Sequence, residues 1–254
     1  MTSINTNTSA MTALQSLSMI NSNLDQTQNR ISTGYRVGAA SDNAAYWSIA
    51  TTMRSDNKAL GAVEDALGLG QAKVDTAYTG MTAAIDVVDE MKAKLVAAKE
   101  PGVDKAKIQS EIKELQGQLT SIATSASFSG ENWLKFDGAT GTKSVVASFN
   151  RSSTGTVSVG TIDINANATK LFRNGAAAGV NDGILDKETT TANAAATNVT
   201  YTVSTLDITA TNVDDTVLTG MISAVDTALK SMTTAGSTLG AAKSRMDIQS
   251  EFVS

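Results

Sequence analysis

From Tyr46 to Leu95 an apolar residue recurs at every seventh position: Tyr46, Met53, Leu60, Leu67, Val74, Met81, Val88 and Leu95. Three residues behind them, Ile49, Val63, Gly70, Ala77, Ala84, Met91 and Ala98 continue the stripe, with Asp56 as the exception. A β-strand alternates its faces every second residue and cannot keep such a stripe on one side. An α-helix can, provided it winds around partners with a left-handed sense. The spacing predicts one helix over residues 43 to 99, roughly 85 Å long at 1.5 Å per residue. Gly61, Gly68, Gly70 and Gly80 each oppose it by up to about 1 kcal/mol relative to Ala. Packing against neighbours must therefore hold the helix together.

The same period appears on both sides. In the first segment Ala10, Leu17, Leu24 and Ile31 are seven apart, and Ala13 and Ile20 fill the intermediate positions. This amphipathic helix should stop near Thr33-Gly34, where glycine accepts the left-handed cap. A loop follows over Tyr35 to Ser41, after which Ser41 or Asp42 is placed to cap the long helix. Pro101-Gly102 breaks that helix. A third helix carries Ile108, Ile112, Leu115, Leu119, Ile122 and Ala126, and the short connection makes it antiparallel to the second. Ser129-Gly130 marks a turn. Near the end, Leu218, Val225, Met232, Leu239, Met246 and Val253 return to sevens, joined by Ile222 and Leu229, with Asp214 or Asp215 as the cap. The pattern stops mid-repeat at Ser254, so the natural product is expected to continue further.

Residues 138 to 212 read differently, being rich in Thr, Ser, Asn, Gly and Ala. Lys143 to Phe149 and Thr156 to Ile164 alternate like strands, joined through Ser153-Thr154-Gly155. Val199 to Ile208 is a third strand candidate, and Asn174 to Ala196 is small and polar. The fold class that follows is mainly α: a long antiparallel helical coiled-coil bundle with a small β-rich inserted outer domain.

Little in the chain supports catalysis. It has no His and no Cys, which removes the commonest general base, the commonest zinc ligand and any disulfide or thiolate site. Asp86, Asp89 and Glu90 are best read as a solvated helix face. Gly68-Leu69-Gly70 lacks the third glycine and the preceding strand of a dinucleotide loop. The Asp and Asn residues near 212 to 215 fit a helix cap better than a calcium loop. Methionines at seven spacing are ordinary core, while Trp47 and Trp133 suit either core packing or anchoring of a partner. No cofactor, metal or catalytic residue is expected. A net charge of −5 and no run of basic residues argue against nucleic acid. No signal peptide opens the chain, and no stretch is long and apolar enough for a membrane helix. Those tests alone would place it in the cytoplasm.

Several motifs point elsewhere. Ile4-Asn5-Thr6-Asn7 precedes the first heptad helix. Arg30-Ile31-Ser32-Thr33-Gly34-Tyr35-Arg36-Val37 follows, then Ala40-Ser41-Asp42-Asn43-Ala44-Ala45 and Ile49-Ala50. Together these closely resemble the N-terminal region of bacterial flagellins. Ser127 to Leu134 looks like that family's helix-to-β transition. Leu239-Gly240-Ala241 and Ser244-Arg245-Met246 resemble the start of its C-terminal coiled-coil strand. The Tyr46-Trp47-Ser48-Ile49-Ala50 wording is most similar to flagellins of rhizobial-type alphaproteobacteria. The resemblance covers residues 1 to 138 and 213 to 254.

The resemblance implies a secreted, non-enzymatic subunit of the extracellular flagellar filament, built as a helical homopolymer for swimming motility. It further implies type III export and contact with the export machinery and the filament cap. Residues 1–42 would be the inner-tube helix and spoke loop. Residues 43–137 would form the N-terminal part of the coiled-coil domain, 138–212 the variable outer domain, and 213–254 the C-terminal helix of the coiled coil, truncated before the family's C-terminal inner-tube helix. The inner-tube assembly face would be Ala10, Ala13, Leu17, Ile20, Leu24 and Ile31. The coiled-coil seam would be Met53, Leu60, Leu67, Val74, Met81, Val88, Leu95, Ile108, Leu115, Ile122, Val225, Met232 and Leu239. Residues 8 to 33 have no partner of comparable type in the chain, so they should be disordered or poorly packed before assembly. Where many flagellins carry an arginine read by an innate immune receptor, this chain has Asp89, followed by Glu90 and Met91, so recognition by that receptor should be weak or absent. A hook–filament junction protein or a surface adhesin using the outer domain are the alternative readings.

Overall fold

The computed structural model describes residues 7–137, 141–173 and 183–253. The chain forms two compact units, the first ending at Ala59 and the second beginning at Leu60.

The first unit holds helix α1, Thr8–Thr33, and the start of helix α2, Ala44–Ala97. Asn7 caps α1, its side-chain oxygen accepting from the amides of Ser9 and Ala10. At the other end Gly34 takes φ +69° and donates its amide to the Arg30 carbonyl, the left-handed stop expected there. The cap of α2 is a correction to the sequence reading. Asn43, rather than Ser41 or Asp42, accepts the Tyr46 amide, at 3.2 Å. The Asp42 carboxylate instead turns back into the loop, where it accepts the amides of Gly38 and Ala39.

The second unit is a helical bundle made from the remainder of α2, helix α3 at Lys105–Ser125 and helix α4 at Asp215–Val253. Asp104 caps α3 and Asp214 caps α4, through the amides of Ala106, Lys107 and Val217. Lys94 pairs with Glu111, while Gly80 lies beside Ala126, so α2 and α3 run in opposite directions. The α2–α4 pair is antiparallel too. Lys99 meets Asp215 and Thr219, Lys92 meets Asp226, Asp75 meets Lys243, and Gln71 meets Asp247. These rungs keep one register along the helices, as charged flanks of an apolar seam do. Between them Leu67, Val74, Met81, Val88, Met91 and Leu95 of α2 bury against Ile112 and Leu119 of α3 and Val225, Met232, Leu239 and Met246 of α4.

The inserted region is small and consists of paired strands. After α3, strands β1 (Ser127–Phe128) and β2 (Glu131–Asn132) make a tight hairpin across Ser129 and Gly130, both at positive φ. Strand β3 (Lys135–Phe136) pairs in parallel with β6 (Phe172–Arg173). The main hairpin joins β4 (Thr142–Arg151) to β5 (Val157–Asn165), with a register shift between Val146 and Ser148. Val145, Ala147, Ile162 and Ile164 are its buried side chains. Strand β7 (Thr189–Ala192) pairs with β8 (Asn198–Tyr201). The expected strand over Val199 to Ile208 is therefore short. It ends at Tyr201, and Val203–Thr205 turns as a 3-10 helix. The reason is burial: Val203, Leu206 and Ile208 all point inward, which an alternating strand cannot achieve. Part of the polar stretch from Asn174 to Ala196 lies outside the described residues.

Two helix glycines mark where this insertion meets the bundle. A Cβ on Gly70 would strike the Val145 side chain of β4, and one on Gly80 would sit 2.9 Å from both Ala126 and Leu134. Gly61 and Gly68 have nothing within 4 Å. The four glycines of α2 are thus two kinds of residue, and only one kind has a packing reason.

Candidate assembly face

The inner-tube residues read from the sequence all lie on α1, and no residue of that helix is buried. Leu17 is 57% exposed and Ile31 77%. Ala10, Ala13, Ile20 and Leu24 are also in solvent. Leu14, which the heptad reading omitted, is exposed too; its spacing from Ala10 and Leu17 puts it on the same face. Met19 is equally exposed but falls on the opposite side. The segment is thus helical, and it has no apolar packing of its own.

The stripe continues on the first turns of α2, where Tyr46, Ile49 and Met53 are all more than half exposed. Leu60 is half-buried, and from Val63 onward the same heptad is closed. Of the predicted seam, Leu67, Val74, Met81, Val88, Leu95, Val225, Met232 and Leu239 are fully buried. Ile108 and Leu115 are buried and Ile122 is half-buried. Met53, at 67% exposed, and half-buried Leu60 stand outside the core.

Isolated apolar residues on a surface are ordinary, but a contiguous stripe is not, and it marks a contact site. The burial of several Leu and Ile side chains at about 25 cal/mol per Å² of apolar surface is the driving force such a face offers. Its polar margin is organised as well. Asp42 is held below the usual carboxylate range by the amides of Ala39 and Gly38, then by the Gln26 side chain. Arg54 stacks its guanidinium over the Tyr35 ring at 4.9 Å.

The other sequence candidates fall elsewhere. Asp89 and Glu90 are exposed on α2, but Met91 is fully buried in the seam, so only the first two present side chains to solvent. Trp133 is core, and its indole N–H donates to Glu131. Trp47 is half-buried. Among the described residues no group of three or more acidic, His or Cys side chains is arranged to hold a metal, and Asp214 is occupied by the amides of Ala194 and Val217. No described helix is long and apolar enough to cross a membrane.

The helical part of this architecture matches a known family. The bacterial flagellin N-terminal helical region aligns with residues 4–139. The chain belongs to the flagellin family. It is 61% identical to Flagellin A of Rhizobium meliloti over 207 residues, which cover 81% of this chain and 51% of that protein. Flagellin C of Rhizobium meliloti (strain 1021) is 52% identical over an alignment of 269 residues that takes in the whole chain and 83% of the relative. A flagellin of Brucella melitensis is 44% identical over 255 residues, again across the whole chain and 80% of the relative. This flagellin-family chain spans about half the length of flagellins A and D, which it matches at higher identity.

Proposed function

We propose that this chain is a structural subunit that polymerises into the bacterial flagellar filament for swimming motility and has no catalytic activity. The observation that carries the reading is the apolar stripe on α1 and the first turns of α2, exposed over its whole length. That stripe is the face through which the subunit makes its assembly contacts. The division of labour follows: residues 1–42 as inner-tube helix and spoke, 43–137 and 213–254 as the surrounding coiled-coil layer, and 138–212 as the outer domain. Extracellular placement in the filament, passage through the flagellar export machinery and contact with the filament cap belong to the same proposal.

The direct test is expression in a strain deleted for its own flagellins, with motility and electron microscopy as readouts. Long filaments and restored swimming are expected. Export into the medium without filaments, or only short stubs at the hook, would refute the filament role.

A further inference from the structure

Residues 203–208 lie against α3, and among the described residues no strand pairs with them. Val203, Leu206 and Ile208 are nevertheless buried. Burial strips water from the backbone here, so its amides and carbonyls need partners from elsewhere. Two glutamines of α3, a heptad apart, supply them. Gln109 uses both ends of its side-chain amide. Its Nε2 donates to the Leu206 carbonyl at 3.1 Å, and its Oε1 accepts the Ile208 amide at 2.9 Å. One side chain thereby does what a neighbouring strand's peptide group would do. Gln116 donates its Nε2 to the same Leu206 carbonyl at 3.1 Å and to that of Val203 at 3.3 Å. Both glutamines are half-buried, while Gln118 on the same helix is exposed. The preceding β7–β8 hairpin is fastened to α4 instead. The Asp214 carboxylate accepts the Ala194 amide at 2.6 Å. Thr191 and Tyr201, hydrogen-bonded to each other at 2.8 Å, close over Gly220. A Cβ at Gly220 would lie 2.5 Å from the Thr191 hydroxyl and 2.9 Å from that of Tyr201. The chain thus crosses from α4 to α3 between Tyr201 and Val203.

We propose that residues 189–208 are a strap across the bundle, clamped to α3 by Gln109 and Gln116, that lifts from α3 and α4 as one unit while the seam between α2 and α4 stays closed. The filament reading is not needed for it. Its basis is unequal strength. A ladder of four residues on each of two strands is too short to hold by itself, so β7 and β8 owe their order to the helix beneath them. The strap gives the core only Tyr201, Val203, Leu206 and Ile208, whereas the seam runs along α2 and α4 and is bordered by ion pairs. Segments with few buried apolar contacts open at lower free energy than the core, and they open as contiguous units. The Thr202 hydroxyl stiffens the crossing through bonds to Ser204 and Thr205, so release on one helix carries to the other. The glutamine amides set how often the strap lifts, because removing one leaves buried backbone groups without a partner.

The experiment measures native-state hydrogen exchange on the whole purified chain at a series of low denaturant concentrations, in wild type, Gln109→Ala, Gln116→Ala and Gln118→Ala. In wild type the amides of Ala194, Ser204 and Ile208, bonded to Asp214, Leu185 and Gln109, should share one opening with a shallow denaturant dependence. Those of Val88 and Met232 in the seam should follow a steeper one, because the slope reports the surface exposed. Gln109→Ala should quicken exchange of all three strap amides roughly tenfold, the order expected when about two hydrogen bonds are lost. Gln116→Ala separates a unit from a set of independent contacts. Gln116 binds carbonyls of the strap only, so its loss removes no partner of an exchanging amide, yet Ile208 and Ala194 should quicken there roughly tenfold as well. Gln118→Ala should leave them at wild-type rates. One common slope for strap and seam amides in wild type, wild-type exchange of Ile208 and Ala194 in Gln116→Ala, or an equal response to Gln118→Ala would each overturn the proposal. The wild-type slopes alone decide it if a glutamine variant does not fold.

Discussion

Gly68 and Gly70 lie two residues apart on the same helix, and the structure assigns opposite signs to the same substitution at each. In an exposed helix Gly→Ala gains up to about 1 kcal/mol from reduced chain entropy and better helix propensity. At Gly68 nothing lies within 4 Å of the added methyl, so Gly68→Ala should stabilise by nearly that amount. At Gly70 the new Cβ would strike both Val145 methyls and lie 3.2 Å from the Val145 Cβ. Rotating the valine removes the first clashes but not the last, because Cβ moves only with the backbone. Overpacking of this kind costs about 1–3 kcal/mol, so after the helix gain Gly70→Ala should lose about 1 kcal/mol net. The two variants should then differ by about 2 kcal/mol, which for a domain of this size corresponds to melting temperatures roughly 4–8 °C apart. Trp133 is buried in the second unit, and its fluorescence in a Trp47→Phe background reports urea unfolding of that unit alone. Adding Val145→Ala should relieve part of the loss at Gly70, with a coupling of about 0.5–2 kcal/mol, and should not couple to Gly68. A shift of the same sign at both glycines, or no coupling to Val145, would refute the docking of β4 against α2.

Leu119→Ala, in the fully buried seam, should cost about 2–5 kcal/mol of unfolding free energy. Leu17→Ala should stay within about 0.5 kcal/mol yet weaken filament growth, so equal effects of the two on monomer stability would contradict the division between core and assembly face. Asp226 is held at about 2, below its ordinary 3.8, by Lys230 and then Lys92. Because its folded value is the lower one, the stability it contributes is complete above about pH 4 and disappears as pH falls toward 2. The gap between wild type and Asp226→Asn in urea melts should accordingly narrow over that window, and a constant gap would rule the linkage out. Asp89→Arg should raise activation of reporter cells carrying the flagellin receptor above wild type; a potent wild-type response would exclude charge reversal as the block.

Period seven made the helices legible. The end of α1 at Gly34, the break at Pro101-Gly102 and the β4–β5 hairpin follow from residues whose local preference and tertiary role agree. The readings that differ have physical causes a single sequence hides. Asp42 and Asn43 are both good caps, and only the folded loop decides that Asp42 turns back toward Gly38. Val199 to Ile208 has strand composition, but three of its apolar residues are needed in the core at spacings no strand allows. Gly70 and Gly80 look like Gly61 and Gly68 until the insertion is seen to pack against them. Leu14 had a visible signal, its spacing from Ala10 and Leu17, which a strict seven-residue count passes over.

Heptad spacing specifies that a helix has a partner and leaves open whether that partner lies in the same chain. Tyr46, Met53, Leu67 and Val74 stand on one uninterrupted repeat, yet the first two are exposed and the last two fully buried. Nothing in hydrophobicity separates them. What separates them is the polar flank: from Gln71 to Lys99 the seam is bordered by side chains that meet a fixed counterpart on α4, and those rungs set an intramolecular register. Around Tyr46 and Met53 the polar contacts are local, Asn43 capping the helix and Arg54 stacking on Tyr35, so they define the shape of the corner and leave the apolar face uncommitted. A bundle locked by its rungs and a stripe left bare beside it are the two features on which the proposed filament role rests.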